Sequence, residues 1–399
     1  MLKQATMVPY DRAVELTDQM RGKFFSSLGA EMVPVSSALN RRLASGVRAV
    51  ARSPPYNIST MDGYAVDTTG KFPLTLVSEV FAGNGRMHVL RKGETMYVAT
   101  GAVVPEGAGA VLRIEDATVK DGKIFSDGMP EPDTNIIRAG ADFEKGDMIL
   151  EQGTVVNPSA ICVLNAAAVE EASVYRKIKV GVLSTGDEIK NGMARDSNAP
   201  MVCAMLENWG CEPVHVGVAP DDADTTKAML DDAAAKYDVV VTIGGVSVGK
   251  KDFVISTVLQ YGEVVFHGYK IRPGKPLLVS YYHGKPAFSL PGKPTGAFTA
   301  MELILRRFIL GDCRRGAAVA ILNRDMDLRA EGFGYVVYVQ LKDGKAVPMG
   351  YEDSPLKLFP GPGYKVSVVS SSPRAIVADG FFMAGGDLKA GQSVLVNLL

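Results

Sequence analysis

The sequence predicts a multidomain α/β plus β protein: a small β-rich domain, a doubly wound α/β domain and a C-terminal β-barrel or sandwich. Three observations predict it. Strand-like runs alternate with helical stretches between residues 179 and 310, the pattern of a mostly parallel sheet covered by helices. Short β-type runs broken by glycines fill Met61 to about Arg138 and return over the last part of the chain. A chain of 399 residues also exceeds one hydrophobic core, so roughly two to four domains are expected.

Taken in order, apolar Val14, Leu16 and Met20 predict a helix from about Tyr10 to Phe25. The segment SPPYNIST, Ser53 to Thr60, breaks regular structure. LTLVSEV, MYVAT and GAVLRI then read as strands of a small β-rich domain, and VNPSAICVLNAAAV as a capped helix. The α/β alternation follows: strand KVGVLST, helix PMVCAMLENWG, strand EPVHVGV, helix DADTTKAMLDDAAAKY, strand DVVVTIGG. A helix near Asp252 to Tyr261, paired strands around LLVSYY and PAFSL, and a helix from Pro294 to Leu310 continue it. YVVYVQL, KVSVV and SVLVNLL read as strands of a terminal barrel or sandwich.

Composition excludes several classes of function. With 47% hydrophobic residues, 22% charged residues and a net charge of −1, the chain lacks the charge imbalance that marks a nucleic-acid or membrane-surface partner. The N-terminus has no signal-peptide pattern, and no window approaches the ~18 apolar residues of a membrane span, so a cytoplasmic protein is expected. Cys162, Cys203, Cys211 and Cys313 show no zinc or redox spacing and read as incidental thiols. His88, His215, His267 and His283 are equally dispersed.

In an open parallel sheet, ligands bind beyond the carboxyl ends of the strands, so the loops there carry the chemistry. They are STGDEI (Ser184 to Ile189), PDD (Pro220 to Asp222), GGVSVGKKD (Gly244 to Asp252), RPGKP (Arg272 to Pro276) and LPGKP (Leu290 to Pro294). Gly244, Gly245, Ser247 and Gly249 lie between a strand and a helix, where bare backbone N–H groups and a helix N-terminus suit an oxyanion. LPGKP opens a helix in the same way and adds Lys293. These loops match neither GxGxxG nor the P-loop. Asp187, Glu188, Asp222 and Asp252 could converge at the same rim, where they would offer the oxygen ligands Mg²⁺ takes, although Asp222 and Asp252 are equally well placed to cap helices. TMDGYAVD and TGAVVPEGAGAVLRIED read either as hairpin turns or as further site segments.

In order along the chain, NISTMDGYAV, ATGAVVPEGAGAVLRIED, NIIRAGADFEKGD, KVGVLSTGDEI, DSN (Asp196 to Asn198), VTIGGVSVGKKDFV, IRPGKP, FSLPGKPTGA and DGFFMAGGDLKAGQSVLV resemble the MoeA/gephyrin family over essentially the whole chain. The resemblance implies an elongated N-terminal domain at 1–47 and 138–176, an inserted β-rich domain at 48–137, a molybdopterin-binding α/β domain at 177–315 and a C-terminal β-barrel domain at 316–399. It implies a homodimer whose clefts lie between the α/β domain of one subunit and the inserted domain of the other. The implied reaction is insertion of molybdate or tungstate into adenylylated molybdopterin with release of AMP, aided by Mg²⁺. A molybdopterin adenylyltransferase is an implied partner.

Carried over by motif, the catalytic residues are Asp62, Asp142, Glu188, Asp252 and Lys275. The metal ligands are Asp187, Glu188 and Asp252. Substrate contacts fall on Thr100, Gly101, Ser184, Thr185, Gly186, Asp222, Gly244, Gly245, Ser247, Gly249, Arg272, Pro291, Gly292, Lys293 and Pro294. The chain departs from the family on the oxyanion side: Arg272 replaces a lysine, Lys293 an asparagine and Gly296 a serine, and an arginine expected from the C-terminal domain falls near Val339. The departures leave two further readings, a molybdopterin-binding carrier that does not complete the cofactor, and a dimeric scaffold.

Overall fold

The computed structural model describes residues 7–83, 88–246, 253–312, 315–329, 331–359 and 363–399. The chain divides into two units, Met1–Gly29 with Arg176–Leu399, and Ala30–Tyr175. In the first, helix α1 (Tyr10–Ser27) buries Ala13, Thr17, Met20 and Phe25 along one stripe. Asp18 on α1 pairs with Arg307 at 2.8 Å, which fastens the helix to the chain near Leu310.

The α/β sheet of this unit holds β1 (Lys179–Thr185), β2 (Glu212–Ala219), β3 (Val239–Ile243), β4 (Gly262–His267), β5 (Leu278–Tyr282) and β6 (Lys285–Leu290). Their spatial order is β2-β1-β3-β6-β5-β4. Helices α2 (Asn198–Asn208), α3 (Ala223–Lys236) and α4 (Phe253–Tyr261) lie between them in sequence, as the alternation predicts, and α5 (Pro294–Ala300) follows β6 and runs on through a π-type turn to Leu310. β3 is buried at every position, as a parallel strand covered on both faces must be. The strands β2, β1, β3 and β6 are parallel, whereas β6, β5 and β4 pair antiparallel. The tight turn at His283 and Gly284, with φ of 48° and 74°, is a two-residue hairpin connection, and such a connection permits only antiparallel neighbours.

Strand order places the site. The chain leaves β1 for β2 on one side and then crosses to β3 on the other. The carboxyl ends of β1 and β3 therefore flank the crevice where an open α/β sheet binds its ligands.

The C-terminal part closes β7 (Ala317–Leu322), β8 (Gly334–Lys342), β9 (Lys345–Pro348), β10 (Gly380–Ala384) and β11 (Ser393–Leu398) into a barrel, because β8 pairs with both β9 and β10. Closure leaves no edge among these strands. One expectation fails here: KVSVV does not form a strand. Val366–Val369 is a helical turn, closed by Ser370 N–H donating to the Val366 carbonyl at 2.8 Å. The hydroxyl of Thr295, on α5, donates to the carbonyls of Val369 and Ser372 at 3.0 and 2.8 Å. Those tertiary bonds outweigh the β-propensity of the valines.

In the second unit a six-stranded sheet runs in the order Ala110–Arg113, Gly63–Val66, Glu94–Val98, Leu74–Val80, Lys123–Phe125, Thr118–Lys120. A separate two-stranded antiparallel pair joins Ala30–Pro34 to Glu171–Tyr175. Helix Pro158–Ala166 packs in that core and is capped by Asn157, whose side chain accepts from Ala160 N–H at 2.8 Å. Among the described residues no helix is long and apolar enough to cross a membrane.

Candidate active site

A cavity of about 720 Å³ opens at the carboxyl ends of β1, β3 and β6. Its wall is built from loops that the sheet topology brings together. Ser184 and Thr185 end β1, and Gly186 and Glu188 follow it; Gly244 and Gly245 follow β3; Pro291, Gly292 and Lys293 follow β6; Arg272 and Lys275 come from the loop before β5.

Two glycines sit where these loops approach each other. Gly244 has φ +91°, and a Cβ there would stand 2.6 Å from Thr185 Oγ1. Gly292 brings its own Cβ position to within 3.5 Å of the Gly244 Cα. The bare backbone is thus a packing requirement at Gly244, whereas a Cβ at Gly292 would make only ordinary contact.

One wall is rich in fixed acceptors. The Ser184 hydroxyl donates to Asp196 Oδ2, and His215 Nε2 lies 3.3 Å from the same hydroxyl. Asp196 Oδ1 accepts from the backbone N–H of Asn198 and Ala199 at 3.1 and 3.0 Å, which satisfies the first turn of α2. Asn198 Nδ2 donates to the Gly292 carbonyl at 2.7 Å and so ties α2 to the loop after β6. Thr185 Oγ1 donates to the Ile243 carbonyl at 3.1 Å and ties β1 to β3.

The other wall carries cations. Arg272 stacks on Phe333, 3.9 Å from guanidinium carbon to ring centroid, and donates to Tyr335 Oη at 3.3 Å. Lys275 Nζ stands 5.7 Å from the same ring. Lys293 Nζ donates to the Ser367 carbonyl at 3.3 Å. Val366, Ser367 and Ser370, from the helical turn of the C-terminal part, complete this side.

The cavity therefore gathers Ser184, Thr185, Gly186, Glu188, Gly244, Gly245, Arg272, Lys275, Pro291, Gly292 and Lys293 from the sequence reading. Ser247, Gly249 and Asp252 lie outside the described residues. Asp187 stands behind the wall, with Oδ1 accepting from Asp221 N–H at 3.1 Å. Asp222 caps α3: its carboxylate accepts from Thr225 N–H at 2.8 Å, and hydrogen bonding to the side chain and backbone of Thr225 lowers its pKa. Asp221, not Asp222, lines the cavity. Pro294 is the first residue of α5, where its fixed φ suits helix entry.

The DSN motif marks Asp196 and Asn198 in the sequence but gives them no role. Asp221, Ser367 and Ser370 line the cavity and are not among the expected site residues. Ser367 and Ser370 carry no local signal, because they reach the cavity only through the turn that Thr295 anchors.

Four predicted residues belong to the second unit. Asp62 Oδ1 accepts from Thr100 N–H at 2.7 Å and from Thr100 Oγ1–H at 2.9 Å. The backbone bond first, then the hydroxyl bond, lowers the Asp62 pKa. Gly101 follows with φ +79°. Asp142 is exposed, in the turn that Ser53 closes through its carbonyl. Among the described residues no group of three metal-ligating side chains comes together.

Comparison with known proteins places this geometry in context. Residues 8–168 match the family model described as MoeA N-terminal region (domain I and II). Residues 181–311 match the "probable molybdopterin binding domain". The molybdopterin molybdenumtransferase of Haemophilus influenzae is 34% identical, covering 73% of this chain and 76% of its own length. That of Bacillus subtilis is 30% identical, covering 89% and 88%. The crystal structure of the molybdopterin biosynthesis MoeA protein from Pyrococcus horikosii superposes with a TM-score of 0.72 at 30% identity, covering 98% of this chain and 99% of that one.

Proposed function

The chain belongs to the MoeA family of molybdopterin molybdenumtransferases, enzymes of molybdenum-cofactor biosynthesis, and on that premise we propose that its cavity takes adenylylated molybdopterin and molybdate and yields the finished cofactor and AMP. The observation that carries this reading is the division of the cavity into an acceptor wall at Ser184, Thr185 and Asn198 and a cationic wall at Arg272, Lys275 and Lys293. A pterin phosphate is divided in the same way, with ring N–H groups at one end and anionic oxygens at the other.

In this reading Arg272 and Lys275 hold the oxyanion and the charge that develops as the phosphoanhydride breaks, since fixed cations in a partly enclosed site stabilise such charge strongly. Arg272 is held by Phe333 and Tyr335, so its charge is oriented before substrate arrives. Lys293 supplies a further donor on the oxyanion side. Gly244 and Gly245 admit the phosphate close to the backbone. Asp62 and Asp142 are proposed as further catalytic acids, and the active species as a homodimer.

Mg²⁺ is the implied cofactor. Mg²⁺ binds through one or two carboxylates with phosphate and water oxygens; Glu188 lines the cavity, and Asp187, behind the wall, has Oδ1 bonded to Asp221 N–H. Those two with Asp252 would hold the ion, which would polarise the bound phosphates.

The test is direct. The purified chain is given adenylylated molybdopterin, Mg²⁺ and molybdate, with tungstate in a parallel arm, and AMP and metal-loaded cofactor are quantified by mass spectrometry. AMP release that depends on the oxyanion is expected. Binding without cleavage would identify a carrier instead, and failure to bind either ligand would sink the reading altogether.

A further inference from the structure

Ser184 is buried, at the end of β1, and its hydroxyl is held from two sides. It donates to Asp196 Oδ2, while His215 Nε2 lies 3.3 Å from the hydroxyl oxygen and 3.8 Å from Asp196 Oδ2. A hydroxyl has one proton and two lone pairs. With the hydroxyl proton directed at the carboxylate, the contact with His215 is a hydrogen bond only when Nε2 carries the hydrogen and donates it. One lone pair remains.

This arrangement is not a nucleophile triad. In such a triad the imidazole lies between the carboxylate and the hydroxyl and removes its proton. Here the histidine and the aspartate act on the same hydroxyl, and the imidazole donates. The outcome is a serine that meets a ligand as an acceptor only.

Thr185 has the same polarity, and Asn198 adds a further acceptor. Thr185 Oγ1 gives its proton to the Ile243 carbonyl. Asn198, 9% exposed, gives an Nδ2 hydrogen to the Gly292 carbonyl, while its Oδ1 is buried without a hydrogen-bond partner. A phosphate or molybdate offers oxygens of its own and finds no donor in Ser184 or Thr185, while Asn198 keeps one Nδ2 hydrogen beside its unpartnered Oδ1. A ring bearing N–H groups does find partners.

We propose that Ser184, Thr185 and Asn198 form the edge that recognises the amino-pyrimidinone N–H groups of the pterin, and that Asp196 and His215 are positioning residues that lock Ser184 as an acceptor. The proposal rests on the reading of this cavity as a pterin site, and it fixes the direction in which the substrate lies: ring toward α2, anionic end toward Arg272 and Lys275.

Asp196→Asn reverses the polarity of one atom. The asparagine keeps a carbonyl oxygen for Asn198 and Ala199 N–H and turns its NH₂ toward Ser184. Ser184 must then accept, and its proton turns into the cavity. The probes are pterin (2-amino-4-oxopteridine) and lumazine (2,4-dioxopteridine), which differ in the donor at C2, titrated into the full chain by fluorescence.

The wild type should prefer pterin. Asp196→Asn should lower the pterin-to-lumazine affinity ratio about tenfold, the size expected for one mismatched hydrogen bond. Ser184→Ala, which leaves Asp196 and the α2 cap in place, should lower the same ratio and serves if Asp196→Asn does not fold. A merely structural role would weaken both pteridines together and leave the ratio unchanged. An unchanged ratio in either folded variant, with adenylylated molybdopterin still cleaved, overturns the acceptor edge and leaves the functional reading intact. A wild type that binds neither pteridine and cleaves nothing overturns both.

Discussion

The guanidinium of Arg272 lies 3.9 Å above the ring of Phe333, and that ring also faces the ammonium of Lys275 at 5.7 Å. Phe333 stands just ahead of β8, so the C-terminal barrel seats two cations of the α/β domain. A planar guanidinium stacks on such a ring where an ammonium would only point at it. The aromatic partner thus gives the lysine-to-arginine departure at position 272 a physical reason.

Phe333→Leu tests that seat. The substitution keeps an apolar side chain while removing the ring face, and a cation–π contact at a partly exposed site contributes about 1 kcal/mol. Molybdate affinity should fall roughly fivefold, measured by isothermal titration, with the thermal midpoint held. Unaltered affinity would show that Phe333 only packs.

Gly244 is the loop position where a side chain should do most harm. Its φ of +91° is strained for any L side chain, and a Cβ would come within 2.6 Å of Thr185 Oγ1. Gly284 has φ +74° with nothing within 4 Å of its Cβ position, so it bears the strain without the clash. Gly284→Ala should cost about 1 kcal/mol; Gly244→Ala should cost more than that, about 2–3 kcal/mol, and break the Thr185–Ile243 bond. Calorimetric midpoints of the two variants give the comparison, and equal shifts would remove the argument for close packing at Gly244.

Much of this was legible before the structure. The strand KVGVLST and the helices flanking it follow from periodicity alone, and the loops after β1, β3 and β6 were readable as a site because topology sends ligands there. What escaped was whatever depended on long-range contact. KVSVV has the composition of a strand, and only its bonds to Thr295, some seventy residues earlier, make it a helical turn beside the cavity. Asn198 and Gly292 are likewise 94 residues apart, so no local pattern announces their bond. The choice between Asp221 and Asp222 turned on which of two adjacent acids caps α3. Capping chemistry favoured Asp222 for that task, which leaves its neighbour facing the cavity.

Asp231 gives the α/β domain a defined acid limb. Burial raises its pKa, but hydrogen bonds from Lys227, Tyr282 and His283 outweigh burial and hold the carboxyl down at about 2. The folded value lies below the unfolded value of about 4. Its contribution is therefore complete above pH ~4 and is lost as pH falls toward about 2. The side chain is 34% exposed, so solvent screening reduces the effect to roughly 1 kcal/mol. Asp231→Asn should flatten the fall of the thermal midpoint over that interval, and parallel curves for variant and wild type would refute the assignment.

Lys293 is the departure whose consequences reach furthest. It precedes Pro294 in the extended geometry that proline imposes on its neighbour, with φ −78° and ψ 130°. One of its three ammonium donors goes to the Ser367 carbonyl at 3.3 Å, and the rest are available to an oxyanion in the cavity. Gly296, one turn into α5, lacks the serine hydroxyl that the family resemblance leads one to expect, so Lys293 is placed to supply the missing donor. Lys293→Asn alone should then weaken molybdate binding about tenfold, since it removes a charge-assisted bond. Adding Gly296→Ser should recover most of the loss. The serine Cβ would stand 3.3 Å from Pro291 Cβ, close enough that Pro291 must shift by a few tenths of an ångström, so recovery should be incomplete. The two substitutions are coupled only if they act on one ligand. Titration of wild type, both single variants and the double variant with molybdate measures that coupling, and additive losses would mean that Lys293 does not compensate for the serine.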